Sequence, residues 1–216
     1  TTVHVGTDAD VRLAINAGAN GIEHAARGLS DDTIALMAAK RVFFVPTNVV
    51  LDYAWKRQVI GGSDPLARRL VEPSILRALL DPASPLAPML RDGAMAERMA
   101  RAFEGAMDQT SKAIRAGVPM LAGSDAGNPV TFHGVSLVRE LELLAQAGMP
   151  LTDVLKSATS RAADPPAPPA SQPASAASKP SAAEVKAIVD QIITTDDPSA
   201  AVGVMVPVSS VGEWAA

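Results

Sequence analysis

The chain has 216 residues, 48% apolar and 19% charged, which suffices for a sizeable core and excludes intrinsic disorder over the whole length. Nineteen basic against 23 acidic residues leave a net charge of −4 with no run of Lys or Arg, so nucleic acid and an anionic membrane surface are disfavoured as partners. With no cysteine, disulfides, thiolate zinc sites, iron–sulfur clusters and cysteine nucleophiles are excluded, and any metal must sit on His, Asp or Glu.

The N-terminus, Thr1-Thr2-Val3-His4, has neither the basic start nor the apolar stretch of an export signal. Lacking a Met, it reads as a cut end. No apolar run reaches the roughly 20 residues of a membrane span. Val3-His4-Val5 is a short strand, and Val11, Leu13, Ala14, Ile15 and Ala17 give a helix from about Asp8 to Ala17, stopped by Gly18. Gly21-Ile22-Glu23 enters a strand ending at His24, and Ser30 or Asp31 caps a helix that runs to Lys40. Val42-Phe43-Phe44-Val45-Pro46 is a continuous apolar strand of the kind buried in parallel sheets, with Pro46 ending its ladder.

Thr47 to Leu90 is a long excursion rich in Gly and Pro, with a helical piece around Leu66 to Leu80. Insertions of this length tend to be lids or substrate loops. Within it, Tyr53 and Trp55 pack the lid or line a pocket. A long helix follows from about Asp92 to Ala116, where Met95, Met99, Phe103 and Met107 lie four residues apart as a core stripe. Val118 to Gly123 reads as a fourth strand, followed by the loop Ser124-Asp125-Ala126-Gly127-Asn128-Pro129, a helix from about Gly134 to Ala147, and a last helix from Leu151 to Ala162.

This alternation predicts an α/β fold with a parallel sheet. Four βα units in about 160 residues are half of a closed eight-stranded barrel. An open doubly wound sheet is disfavoured, since no Gly-x-Gly-x-x-Gly or phosphate-binding loop occurs. In residues 165–180, 14 of 16 positions are Pro, Ala or Ser, which marks 164–181 as a solvated, disordered linker. Residues 182–216 predict a helix and a strand, too short for an ordinary stable domain, and read as the start of a truncated region.

The three histidines all follow or lie near predicted strand ends. In parallel barrels the C-terminal ends of different strands carry the chemistry, so His4, His24 and Asp125 would converge on one face. Two imidazoles and a carboxylate suit a divalent metal such as zinc, which acidifies bound water, and Asp125 is placed to take the proton. Each residue alone has a plainer reading: a strand-end His is more often structural, and Gly-Ser-Asp-Ala-Gly can be a turn whose Asp caps a helix. Serine hydrolysis is disfavoured, with no Gly-x-Ser-x-Gly elbow and no Ser-x-x-Lys.

In combination, Val3-His4-Val5, Gly21-Ile22-Glu23-His24 and Val118 to Gly127 resemble the metal-dependent amidohydrolase superfamily, nearest its imidazolonepropionase-like and prolidase-like branch. His133-Gly134, Arg139 to Leu144, Ala147-Gly148-Met149-Pro150 and Ala158-Thr159 extend the resemblance over residues 1–163. It implies a distorted (β/α)8 TIM-type barrel, of which this chain holds the C-terminal half, with one or two divalent metals in the complete protein, zinc foremost. His4 would be the metal ligand after the fifth strand and His24 the ligand after the sixth. Asp125 would be both the carboxylate ligand after the eighth strand and the general base. His133 would contact substrate, although a surface or helix-start role is equally open to it.

Three family features are absent: a His-x-His on the first strand, a bridging Lys or Glu on the fourth, and a flanking β-sandwich. Their absence agrees with the count of four units. The expected activity is hydrolysis of a small-molecule amide or cyclic amide by the parent protein, and the alternative is a non-catalytic binding or assembly module keeping half of the metal site. An open half-barrel would expose an edge strand, inviting self-association as a homo-oligomer.

Overall fold

The computed structural model describes residues 1–24, 28–56, 65–85, 87–128 and 130–166. Nearly all of the expected linker, the helix and strand expected in 182–216, and the side chains of Tyr53 and Trp55 lie outside the described residues.

Strands β1 (Thr2–His4), β2 (Gly21–Glu23) and β3 (Phe43–Val45) form a parallel sheet in that order. Parallel neighbours need crossovers, which helices α1 (Asp8–Asn16) and α2 (Asp31–Lys40) supply. Both start on side-chain caps. Thr7 and Asp10 form a reciprocal capping box on α1, and Ser30 accepts from the Thr33 N–H on α2. Asp8 joins the two starts by accepting the Ser30 N–H at 2.8 Å.

The register sets the two faces of the sheet. Thr2, Gly21 and Phe43 form one row and His4, Glu23 and Val45 the next, so Val3, Ile22 and Phe44 point the other way. That second face is the main core, where Ile22, Phe44 and Met120 pack with Val11, Ile15, Met37, Ala113 and Leu144 from the helices. The first face carries a smaller cluster of Phe43, Val45 and Leu121. It is tightly layered: a Cβ on Gly21 would lie 2.1 Å from the Phe43 ring, and one on Gly123 would lie 2.6 Å from Val45 Cγ1.

The fourth strand expected at 118–123 is reduced, among the described residues, to one parallel bridge between Phe44 and Met120. The Phe44 N–H donates to Pro119 O at 2.8 Å and the Leu121 N–H to Phe44 O at 3.0 Å. Extending this ladder in either direction requires an N–H on Pro119 or on Pro46, and proline has none. Beyond it, the Ala122 N–H turns to Ser157 O.

Helix α3 (Val49–Lys56) follows β3 directly and packs against α7 (Gly93–Arg115) and α8 (Val135–Gln146). The helix expected over Leu66 to Leu80 is two, α4 (Pro65–Leu70) and α5 (Pro73–Leu80), because Pro73 cannot continue the first and instead starts the second under a Glu72 cap. A short α6 (Ala87–Arg91) precedes α7. The methionine stripe of α7 is half-buried, with Phe103 and Met107 against a second cluster of Val49, Ala67, Val71, Leu90, Val130, Val135 and Leu143. The fully buried positions of α7 are Ala106, Thr110 and Ala113, where close helix approach favours small side chains. The last helix is also divided, into α9 (Leu151–Ser157) and α10 (Ser160–Ala163). At the break, the Ser157 and Thr159 hydroxyls donate to carbonyls of the preceding turn at 2.6 and 2.7 Å, a competition that ends or bends helices. Among the described residues no helix is long and apolar enough to cross a membrane.

Two polar contacts fix α3 against α8. Asp52, with a side chain 1% exposed, receives Arg139 Nε at 2.8 Å. Glu140, fully buried, accepts the Val49 N–H at 2.8 Å through Oε2, supplying an acceptor to a buried helix start. Glu140 Oε1 has no hydrogen-bond partner among the described residues. Burial pushes the Glu140 carboxyl up to about 7, against the opposing backbone hydrogen bonds.

Gly21→Ala drives a methyl into the Phe43 ring and is expected to cost about 1–3 kcal/mol in urea unfolding; Phe43→Leu in the same chain restores part of it. The folded carboxyl of Glu140 keeps a proton that the unfolded chain releases, so its contribution falls as pH rises from about 4.5 to about 7, by on the order of 3 kcal/mol. Glu140→Gln is expected to remove that decline, and an unchanged slope of unfolding free energy against pH would refute the assignment.

Candidate functional site

His4 ends β1, His24 follows β2, and Asp125 lies past the Met120 bridge, so adjacent parallel segments deliver all three to one end of the sheet. The His4 and His24 rings meet edge to face with centroids 4.5 Å apart. Asp125 Oδ2 lies 3.6 Å from His24 Nδ1. The His24 backbone is held across the sheet by its N–H donating to Val45 O at 2.8 Å.

Four groups missing from the sequence reading belong to this end of the sheet or contact it. Thr47 Oγ1 lies 2.9 Å from His24 Nδ1, a hydrogen bond from the turn after β3. Asn128 Nδ2 donates to Asp125 Oδ2 at 2.7 Å and to the Asp125 carbonyl at 3.1 Å. Glu23 shares its row with His4 and Val45, and burial raises its carboxyl, with a Thr2 hydrogen bond opposing and Asp125 adding to the rise. Thr2 is thus the fourth. A Thr after a strand-ending proline, or a Glu beside a strand-end His, carries no distinctive sequence signal, since the cross-strand register creates both contacts.

His24 has a half-buried side chain, and burial lowers its imidazole below the ordinary range; Asp125 opposes that shift and His4 reinforces it. The neutral ring is therefore favoured, which is the form that offers a lone pair to a ligand. Asp125 is more open, at 38% side-chain exposure. His133 is exposed in the turn before α8, and the contacts joining the other three do not include it.

In kind, two imidazoles and a carboxylate fit a divalent ion. The set is incomplete in this chain, because among the described residues no group of three or more His, Asp or Glu side chains is arranged to hold a metal.

No protein-family model matches the chain, and no curated protein matches it by sequence. Solved structures do. A Xaa-Pro dipeptidase with methionine bound in its active site superposes at a TM-score of 0.51 and 20% identity, over 75% of this chain and 32% of that one. A bottromycin amidohydrolase superposes at 0.53 and 24% identity, over 76% of this chain and 40% of that one. The chain shares part of its fold with these two proteins. It spans about a third of the dipeptidase and two fifths of the bottromycin amidohydrolase.

Proposed function

We propose that residues 1–163 form the part of an amidohydrolase-type, metal-dependent hydrolase that carries His4, His24 and Asp125, corresponding to four strand positions of a (β/α)8 barrel. The observation that carries this reading is the meeting of those three side chains at the carboxyl ends of parallel segments, where such folds do chemistry. One structural neighbour is a Xaa-Pro dipeptidase and another an amidohydrolase, which supports an amide or cyclic-amide carbon–nitrogen bond in a small molecule as the one broken.

His4, His24 and Asp125 would hold a divalent ion, zinc by donor type, together with donors from the rest of a complete barrel. Such an ion supplies an acidified water and a polarised carbonyl when bound. Asp125 takes the proton of the attacking water and returns it to the leaving nitrogen, with Asn128 fixing its carboxylate through Oδ2. His24, neutral and held at Nδ1, presents its other nitrogen. His133, exposed beside α8, is a substrate contact in this reading.

A second reading, a binding or assembly module without activity of its own, draws on one observation: among the described residues no three such side chains are arranged as a metal site. Zinc uptake by the purified chain separates the two. Equilibrium dialysis is expected to give close to one zinc per chain, with at least tenfold weaker binding by folded His24→Ala and Asp125→Asn. A well-folded chain that takes up no zinc, or binds it equally well as His24→Ala, rejects metal binding by these three residues in this chain and favours the module for it. Dipeptide and lactam hydrolysis, assayed with zinc-loaded wild type, is the companion measurement.

A further inference from the structure

Thr47 sits in a turn whose backbone is costly to form. It is a β-branched residue, 5% exposed, at a φ of 49°. That left-handed conformation is strained for a β-branched side chain. Glycine or asparagine would satisfy the same backbone at less cost. Such a conformation persists only where its surroundings hold it. Here Glu140 accepts the Val49 N–H at 2.8 Å, and Asn48 Nδ2 donates to Thr110 Oγ1 at 3.0 Å. Asn48, Thr110 and Glu140 are all fully buried. None of these contacts uses the Thr47 side chain. Its hydroxyl contacts His24 Nδ1 instead.

We infer that Thr47 is a positioning residue, whose hydroxyl, presented by the turn that Glu140 and Asn48 clamp, accepts the His24 Nδ1–H and so leaves the lone pair on Nε2 for a ligand. The direction of the bond follows from Asp125. Its carboxylate oxygen lies 3.6 Å from the same Nδ1, too far for a hydrogen bond but near enough to favour an N–H over a lone pair facing it. Thr47, at 2.9 Å, is then the acceptor. That the ligand is a metal rests on the function proposed above; the tautomer assignment does not.

The test uses the full 216-residue chain with Thr47 replaced by Val, Ser or Gly. Nitrogen-15 spectra at about pH 8, where a histidine ring is neutral, report which ring nitrogen of His24 carries the proton. Wild type and Thr47→Ser are expected to show a single tautomer protonated at Nδ1. Thr47→Val and Thr47→Gly are expected to populate the other tautomer and to bind zinc about 10- to 100-fold more weakly. Thr47→Gly relieves the backbone, so it gives the answer even where Thr47→Val fails to fold, and a merely structural role for Thr47 would leave its tautomer ratio untouched. A wild-type ratio in Thr47→Gly overturns the inference, as does a wild-type ring protonated at Nε2. Should the tautomer respond as stated while wild type takes up no zinc, Thr47 keeps its role and the metal reading fails alone.

Discussion

Everything at the candidate site depends on how quickly the chain must leave a parallel strand. Each named strand is three residues long, and the segment after it must clear the sheet edge to reach a helix. Two of the exits are made by left-handed residues other than glycine, His24 at φ 71° and Thr47 at φ 49°; Asp125, beyond the Met120 bridge, is a third at 50°. Such a backbone bends sharply and turns its side chain back over the strand ends. The hydrogen bond between His24 and Thr47 joins two of these bends, so part of the strain in each is offset by a contact only that geometry permits.

Burial of polar groups behind the site serves the same end. The start of α3 has backbone donors that a preceding Ser or Asp would ordinarily satisfy, and the residues before it are Thr47, committed to His24, and Asn48, committed to Thr110. Glu140 therefore reaches across from α8 to accept one of them, the Val49 N–H. An apolar residue there would pack more cheaply and leave the turn without an acceptor. The buried carboxyl is thus a cost borne by the core for order at the sheet end.

The parts legible in the sequence are those set by neighbours along the chain. The helix start at Ser30 has a recognisable capping residue, and the apolar run of β3 announces a buried parallel sheet. His24 and Asp125 stand out because they sit at strand ends. What escapes is set across the chain. Glu140 lies on an amphipathic helix where a carboxylate reads as solvated, and its role comes from a residue 91 positions away. The weak fourth strand was written in Pro46 and Pro119, yet only their opposition across the Phe44–Met120 bridge makes both missing donors fall on one ladder. The α7 methionines have the period of a core stripe, but the small residues Ala106 and Ala113 lie deeper because neighbouring helices press closest there.

The close approach of Val45 to Gly123 has an evolutionary consequence. A Cγ1 methyl of Val45 fills the space a side chain at position 123 would need, and position 123 stands two residues before Asp125. Volume added at one position must be given up at the other, or the loop bearing the carboxylate is displaced from His24. Among homologues that keep this carboxylate, the two positions should therefore vary as a size-compensating pair, a correlation arising from steric exchange between neighbouring strands rather than from any chemistry at either residue.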